Sequence, residues 1–300
     1  MAPLFLCFLV FNVLSQTQAV SVKRQATLFN QAVAVGNLTT TVVDEASGLA
    51  ASRRHPGILY THNDSGDGPK IYALNASDAS LVATFTVVAA VNHDWEDIAV
   101  GPCDEGGNCI YIGDFGVGHD GQSAKTIYRV KEPATLVDQI LDLDSFLKFD
   151  WSSTEGQTLL VDNDGEVYVV TNVLGGRAKM YILPYFAWGE PERTYVHSTS
   201  SVHLPLHTSH HDPVGGDISP NGEDLLIKAK HHVYYWHVPD RDYFRAMSNP
   251  PTELPYHQER LGESICWDVT GDKYYTLSEG RFATLYSYSR KVPDSITVVG

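Results

Sequence analysis

Beyond its first residues, the 300-residue sequence lacks any apolar run long enough to cross a membrane as a helix. The N-terminal stretch MAPLFLCFLVFNVLSQTQA is apolar but short, and it ends in the small-residue pattern Thr17-Gln18-Ala19, which is typical of a signal-peptide cleavage site. We therefore predict a signal peptide at residues 1–19 and a secreted, extracellular protein without a transmembrane anchor.

Positive charge is also scarce, because 21 lysines and arginines stand against 36 aspartates and glutamates, for a formal net charge of −15. This excess disfavours nucleic acid as a partner, since the phosphate backbone would be repelled. Cations, basic proteins and mineral surfaces are compatible with it. We expect an extracellular ligand, a matrix component or a mineral surface as the partner, and we expect the chain to act as a monomer.

Cysteine is rare, with four residues in the chain, of which Cys7 lies in the predicted signal peptide. Cys103 and Cys109 flank the glycine-rich turn DEGGN between two strand-like runs. We predict a disulfide across this hairpin, which suits an oxidising compartment. Cys266, inside the apolar run SICWDV, is predicted to be a buried free thiol.

Three Asn-x-Ser/Thr triplets predict N-glycosylation of an exported chain. They lie at Asn37, Asn63 and Asn75. Asn63 also belongs to the motif HNDSGD discussed below, so Asn37 and Asn75 are the stronger candidates.

Helical signals are nearly absent, whereas short β-branched and aromatic runs that end at Gly, Asn, Asp or Pro recur along the chain. Five segments share one pattern: a small or acidic pair, a short apolar strand, a turn, and a second strand rich in Tyr, Val, Ile or Leu. These segments begin at Ser47, Glu96, Gln157, Gly216 and Glu263. Most are followed by a third strand, such as KIYALN or VYYWHVP.

Four-stranded units repeated at roughly 40 to 60 residues are typical of propeller blades. We predict an all-β fold, a single β-propeller at residues 47–300 with five blades favoured. The N-terminal segment, residues 20–46, contains the run ATLFNQAVAV, which is predicted to supply the outer strand of the last blade and close the ring. Six blades are an alternative, because residues 185–213 are long enough to contain further strands, and a pair of β-sandwiches is the other competitor.

The motifs SGLAAS, HNDSGD, DWEDIA, IYIGDFG, IYRVKEP, GGDISPNG and YYTLSEG together resemble a largely uncharacterised family of secreted β-propeller proteins from bacteria and invertebrates. The resemblance spans nearly the whole chain after the predicted signal peptide, and it implies a propeller fold and secretion but no established reaction. The chain departs from the family where relatives commonly read Gly-Asp-Ile-Gly-Asp-Asn, because here Asp114 is followed by Phe115-Gly116-Val117-Gly118-His119. It also has Gln157 and Gly216 where relatives often begin a blade with an acid.

In a propeller, the start of the first strand of each blade and the end of its second strand meet at one mouth of the central channel. Seven carboxylates are expected at this mouth: Glu96, Asp97, Asp64, Asp114, Asp217, Glu263 and Glu279. Because they repel one another unless protonated, paired or bridged, we predict a bound cation, Ca²⁺ foremost, with Asp94 in a supporting position. The alternative is that the acids bond backbone amides and hold neighbouring blades together without a metal.

These features favour a secreted, acidic glycoprotein that acts as an extracellular binding or matrix protein, in a mineralised or other matrix, with Ca²⁺ as its ion. The alternative is a metal-dependent hydrolase of phosphoesters or lactones at the same mouth, with Glu96, Asp97, His62 and Lys230 as candidate catalytic groups. A serine hydrolase is poorly supported, because the sequence has no Gly-x-Ser-x-Gly elbow. We favour binding over catalysis.

Overall fold

The computed structural model describes residues 28–117, 125–152, 155–172, 177–197, 200–204 and 212–291, so the predicted signal peptide lies outside the described residues. The described chain forms five sheets arranged as the blades of a β-propeller, and their strands pair antiparallel except for two short edge strands that pair parallel. The first strand of each blade packs against the first strands of the two adjacent blades and lines the central channel. The predicted five-bladed architecture is therefore confirmed.

The strands follow one another outward from the channel in each blade. Blade 1 contains β2 (Ala46–Ala51), β3 (Ile58–Asn63), β4 (Lys70–Asn75) and β5 (Leu81–Val87). Blade 2 contains β6 (Trp95–Pro102), β7 (Asn108–Asp114), β8 (Thr126–Lys131) and β10 (Leu143–Asp150). Blade 3 contains β11 (Gly156–Val161), β12 (Val167–Thr171), β13 (Lys179–Leu183) and β15 (Ser200–Ser201). Blade 4 contains β16 (Pro213–Ile218), β17 (Asp224–Ala229), β18 (His232–His237) and β19 (Thr252–Leu254).

Blade 5 contains β20 (Gly262–Trp267), β21 (Lys273–Ser278) and β22 (Thr284–Ser289), and its fourth strand is β1 (Val33–Asn37) from the N-terminal segment. Strand β1 pairs antiparallel with β22, which closes the ring as predicted and covers an edge that would otherwise be open. Phe29, just before β1, is fully buried between blades 4 and 5 and fixes the segment in place.

Residues 185–213 do not form a sixth blade in their described part. They contribute a short helix at Tyr185–Ala187 and the two-residue strands β14 (Thr194–Tyr195) and β15. Strand β14 extends the outer edge of blade 2, as the three-residue β9 (Gln139–Leu141) extends that of blade 1. A five-residue helix, α1 (Tyr243–Met247), lies between β18 and β19.

The hydrophobic core is divided among the blade junctions. The described residues form five clusters of buried apolar side chains, one at each junction of neighbouring blades. The alternation of strand residues explains this division, because each sheet is covered on both faces and presents apolar side chains to both neighbours. Trp95 is fully buried between blades 1 and 2, and its indole N–H donates to the Val91 carbonyl at 2.9 Å.

The predicted disulfide joins Cys103 and Cys109 across the β6–β7 hairpin, with 5.2 Å between the two Cα atoms, and Cys266 is a buried free thiol. Because the bridge closes only a short loop, replacing both Cys103 and Cys109 by alanine should lower the free energy of unfolding by about 2 kcal/mol. Urea denaturation of the double variant checks this value. A loss larger than twice that figure would mean that the hairpin cannot form without its bridge.

None of the helices among the described residues is long and apolar enough to span a membrane. The three glycosylation candidates differ in their surroundings: Asn37 is exposed and Asn75 is partly exposed, whereas Asn63 is 4% exposed. The Asn63 amide nitrogen donates to the Val42 carbonyl at 2.8 Å and to Asp67 Oδ2 at 3.0 Å. The Asn63 amide nitrogen, the atom that a glycan would need, is thus occupied in the folded chain, so Asn37 and Asn75 remain the stronger predictions.

Candidate metal centre at the channel mouth

The first strand of every blade contains an irregularity at the same place. The pairing of the first with the second strand shifts register at Ala46/Leu49, Trp95/Asp97, Gly156/Thr158, Pro213/Gly215 and Gly262/Ser264. One extra residue is accommodated at each shift, so equivalent positions are held by Ser47, Glu96, Gln157, Val214 and Glu263. Such bulges redirect a side chain out of the normal alternation. Here they lie at the end of the channel where the inner strands begin, which we call the mouth.

This register corrects the predicted alignment of blade 4, which began at Gly216. The residue equivalent to Glu96 is Val214, because Pro213 pairs with Ala229 as Trp95 pairs with Asp114. Asp217 therefore lies three positions further along its strand than Val214, away from the mouth. Its Oδ2 atom accepts a hydrogen bond from the backbone N–H of Trp267 at 2.8 Å, which links blade 4 to blade 5.

Asp97 is fully buried and binds backbone rather than facing the mouth. Its Oδ1 accepts from the N–H of Ile98 at 2.9 Å, and its Oδ2 accepts from Leu159 at 2.9 Å and from Gly216 at 3.2 Å. One carboxyl group thus joins the inner strands of blades 2, 3 and 4. Burial raises the pKa of Asp97 well above its usual range, and the three donated N–H groups oppose that rise.

Asp114 is also displaced from its expected place. It pairs with Trp95 in blade 2 as Asn63 pairs with Ala46 in blade 1, so its equivalent in blade 1 is Asn63 rather than Asp64. Its Oδ1 accepts from the Asp94 N–H at 3.0 Å, so Asp114 positions the residue before β6 instead of facing the channel. Burial raises its pKa to about 6, against the hydrogen bond from the Asp94 N–H.

Two serines complete the links between blades. Ser47 Oγ donates to the Glu96 carbonyl at 2.7 Å, and Ser264 Oγ donates to the Ala46 carbonyl at 3.1 Å. Ser47 thus links blade 1 to blade 2, and Ser264 links blade 5 to blade 1. Asp97 links blade 2 to blades 3 and 4, and Asp217 links blade 4 to blade 5. Backbone linkage, the alternative to metal binding, therefore accounts for Asp97 and Asp217.

A different set of carboxylates does converge at the mouth. Oxygen atoms of Asp64, Asp94 and Glu96 lie within 4.8 Å of one another, and we call these three residues the mouth cluster. Glu96 is only 7% exposed, whereas Asp64 and Asp94 are partly exposed, so Glu96 lies deepest. No described residue donates a hydrogen bond to the Glu96 carboxylate, and Asp64 Oδ1 is buried without a hydrogen-bond partner among the described residues. The cluster thus contains one buried oxygen atom, Asp64 Oδ1, that the described residues leave unsatisfied.

The electrostatics of the mouth cluster reflect this crowding. Burial, followed by repulsion from Asp94, Glu263 and Glu279, raises the pKa of Asp64 to about 8. Burial and the charges of Asp64 and Asp94 likewise raise the pKa of Glu96 well above its usual range. Without a counter-ion, the cluster holds protons near neutral pH.

Glu263 and Glu279 of blade 5 lie beside the mouth cluster. Burial and repulsion from Glu263 raise the pKa of Glu279 to about 7, and the two side chains hydrogen-bond to each other. Burial raises the pKa of Glu263, and the positive charge of Lys230, an exposed residue after β17, partly offsets that rise. These three residues form the rim of the mouth on the side of blades 4 and 5.

Gly116 provides space for the mouth cluster. It is buried two residues after the end of β7, and a Cβ atom at this position would overlap Glu96 Oε1 and Asp94 Oδ2. Sequence reasoning missed Gly116 and gave Asp94 only a supporting place. The motif NHDWED carries the signal for Asp94, but the direction of a side chain that precedes a strand cannot be read from alternation.

His62 and Lys228 are buried in structural roles. His62 is fully buried, its Nδ1 lies 3.0 Å from the Asn63 carbonyl oxygen, and burial lowers its pKa to about 4. Lys228 is the buried lysine of blade 4, and its Nζ donates to the Gly262 carbonyl at 2.6 Å. His62 is therefore neutral near pH 7 and is enclosed away from solvent, which does not suit the proton transfer expected of it in a hydrolase.

No family model matches the chain, and no curated protein matches it. Among solved structures, the chain is similar to the PQQ-bound form of aldose sugar dehydrogenase from Streptomyces coelicolor, with 10% sequence identity, a TM-score of 0.51, and 87% of this chain and 98% of that chain covered. The Pan2 WD40 domain of Neurospora crassa matches with 8% identity, a TM-score of 0.46, and coverages of 91% and 98%. The first of these likenesses supports the propeller fold alone.

Proposed function

We propose that this protein is a secreted, acidic β-propeller that acts as an extracellular binding or matrix protein and holds a calcium ion at the mouth of its channel. The ion binds the carboxylates of Asp64, Asp94 and Glu96. The observation that carries this proposal is the buried Asp64 Oδ1 atom, which has no hydrogen-bond partner among the described residues and lies with the carboxylates of Asp94 and Glu96.

A hard divalent cation satisfies this arrangement better than protons do. Three carboxylates that supply only oxygen atoms suit calcium, which accepts about six to eight oxygen ligands in flexible geometry. Magnesium demands a stricter octahedron, and zinc prefers nitrogen and sulfur ligands. The cation also removes the repulsion that raises the pKa values of Asp64 and Glu96.

The hydrolytic alternative has less support in the geometry. Of its four candidate groups, Asp97 is bound to three backbone N–H groups and His62 is enclosed. A metal-bound water would therefore have neither of them as a proton acceptor. Binding is the function that the mouth supports best.

Replacing Glu96 by glutamine should weaken calcium binding by about tenfold or more, because the change removes one of three charged ligands while keeping the size of the side chain. Isothermal titration of the purified protein with calcium chloride checks this, with one ion per chain expected for the unchanged protein. The matched control is Glu192→Gln, which makes the same chemical change at an exposed position before β14 and should leave the affinity unchanged. Absence of heat with every divalent cation tested would refute the proposal, as would equal affinity in the Glu96 variant.

A further inference from the structure

We propose that the calcium ion of the mouth cluster binds a neutral ligand rich in hydroxyl groups, namely the vicinal hydroxyls of a saccharide. This inference rests on the proposed function, because it starts from an ion held by Asp64, Asp94 and Glu96. It follows from the coordination, the charge and the hydrogen-bonding capacity of the mouth.

A calcium ion held by the mouth cluster would keep coordination positions that the three carboxylates do not fill. Glu96 is more than nine-tenths buried, whereas Asp64 and Asp94 are partly exposed, so an ion held by all three would be reached from the side of Asp64 and Asp94. Calcium takes about six to eight oxygens, more than three carboxylates provide when they bind through single oxygens. Neighbouring hydroxyls of a sugar ring can occupy two adjacent positions in place of two water molecules.

The charge of the mouth excludes acidic ligands. The three cluster carboxylates exceed the charge of one calcium ion, and Glu263 and Glu279 add further negative charge that Lys230 offsets only in part. A ligand carboxylate or phosphate would meet this uncompensated charge at short range. A hydroxyl oxygen coordinates calcium without adding charge.

The mouth also offers many hydrogen-bond acceptors. Asp64 Oδ1 is buried without a partner among the described residues, and the Glu96 carboxylate receives no donor from them. Ionised carboxylates only accept, whereas a hydroxyl bound to calcium through a lone pair still carries a hydrogen to donate. Ammonium and guanidinium groups donate but have no lone pair for the ion, so a basic partner would compete with calcium rather than bind through it.

Neutral oligosaccharides immobilised on an array, applied with calcium and again with EDTA, test the inference. We expect the protein to bind oligosaccharides with exposed vicinal hydroxyls when calcium is present. The bound signal should fall at least tenfold in EDTA, and the Glu96→Gln variant should show the same fall in the presence of calcium. Glu192→Gln should bind as the unchanged protein does. The same array carries sulfated oligosaccharides and oligolysine, which test for an acidic and a basic ligand. It also carries a glycoprotein with the same neutral glycans, which distinguishes a free saccharide from a protein-attached one.

Calcium titration of the same preparation separates the two proposals. If calcium binds and no neutral saccharide does, the inference is wrong and the proposed function stands. Saccharide binding that persists in EDTA or in the Glu96 variant would place the ligand elsewhere and overturn the inference. Oligolysine binding in EDTA that calcium displaces would identify a basic partner instead. If no calcium binds, both proposals fail.

Discussion

Replacing Asp97 by alanine should lower the free energy of unfolding by about 3–5 kcal/mol, because the backbone N–H groups of Ile98, Leu159 and Gly216 lose their shared acceptor in the channel wall. All the donated groups are buried where the inner strands meet, so water cannot readily replace the carboxylate. For a chain of this size, the loss corresponds to a fall in melting temperature of about 10 °C. Thermal and urea denaturation followed by circular dichroism measure it.

Two comparisons make the Asp97 result decisive. Ser264→Ala removes a single link between blades 5 and 1 and should cost about 1 kcal/mol. Asp97→Ala should also keep its calcium affinity in conditions where it remains folded, because Asp97 is outside the mouth cluster. A folded variant with unchanged stability but lost calcium affinity would reverse the assignment and make Asp97 a ligand.

The architecture could be predicted because it repeats. Each inner hairpin has its own apolar strands and turn residues, so five similar segments indicated five blades, and the unmatched strand at the N terminus indicated closure of the ring. The hairpin between Cys103 and Cys109 was likewise readable from local spacing. These features depend on short-range pattern, which the sequence displays directly.

The candidate site was predicted only in part, because it depends on register. A single extra residue near the start of each inner strand decides whether a side chain faces the mouth or a neighbouring blade, and a shift of one position reverses its direction. The prediction therefore included Asp97 and Asp114, which bind backbone N–H groups, and misaligned Asp217. It gave Asp94 too small a role, although Glu96 and Asp64 do lie in the cluster.

The cation-free protein should lose about 2–3 kcal/mol of unfolding free energy as the pH rises from 6.5 to 8. The pKa values of Asp64, Glu279 and Asp217 are raised to about 8, 7 and 7, whereas carboxyl groups of an unfolded chain titrate near 4. In this window the folded state therefore holds protons that the unfolded state has already released, so stability falls as they dissociate. His62, whose pKa is lowered to about 4, acts with the opposite sign mainly below this window.

Denaturation in EDTA at several pH values measures how steeply the unfolding free energy falls with pH. Removing a titrating carboxyl group or adding calcium should make this fall less steep. Asp64→Asn removes one titrating group and should raise the stability of the cation-free protein at pH 8, while it weakens calcium binding. Millimolar calcium should stabilise the unchanged protein most at pH 8, because the ion then replaces protons that the cluster has lost. A variant that loses both stability and calcium affinity at pH 8 would contradict this account, because it would show that the Asp64 carboxylate stabilises the fold by a contact unrelated to the ion. The opposite signs expected for stability and affinity thus separate a carboxylate that holds a cation from one that, like Asp97, holds the backbone.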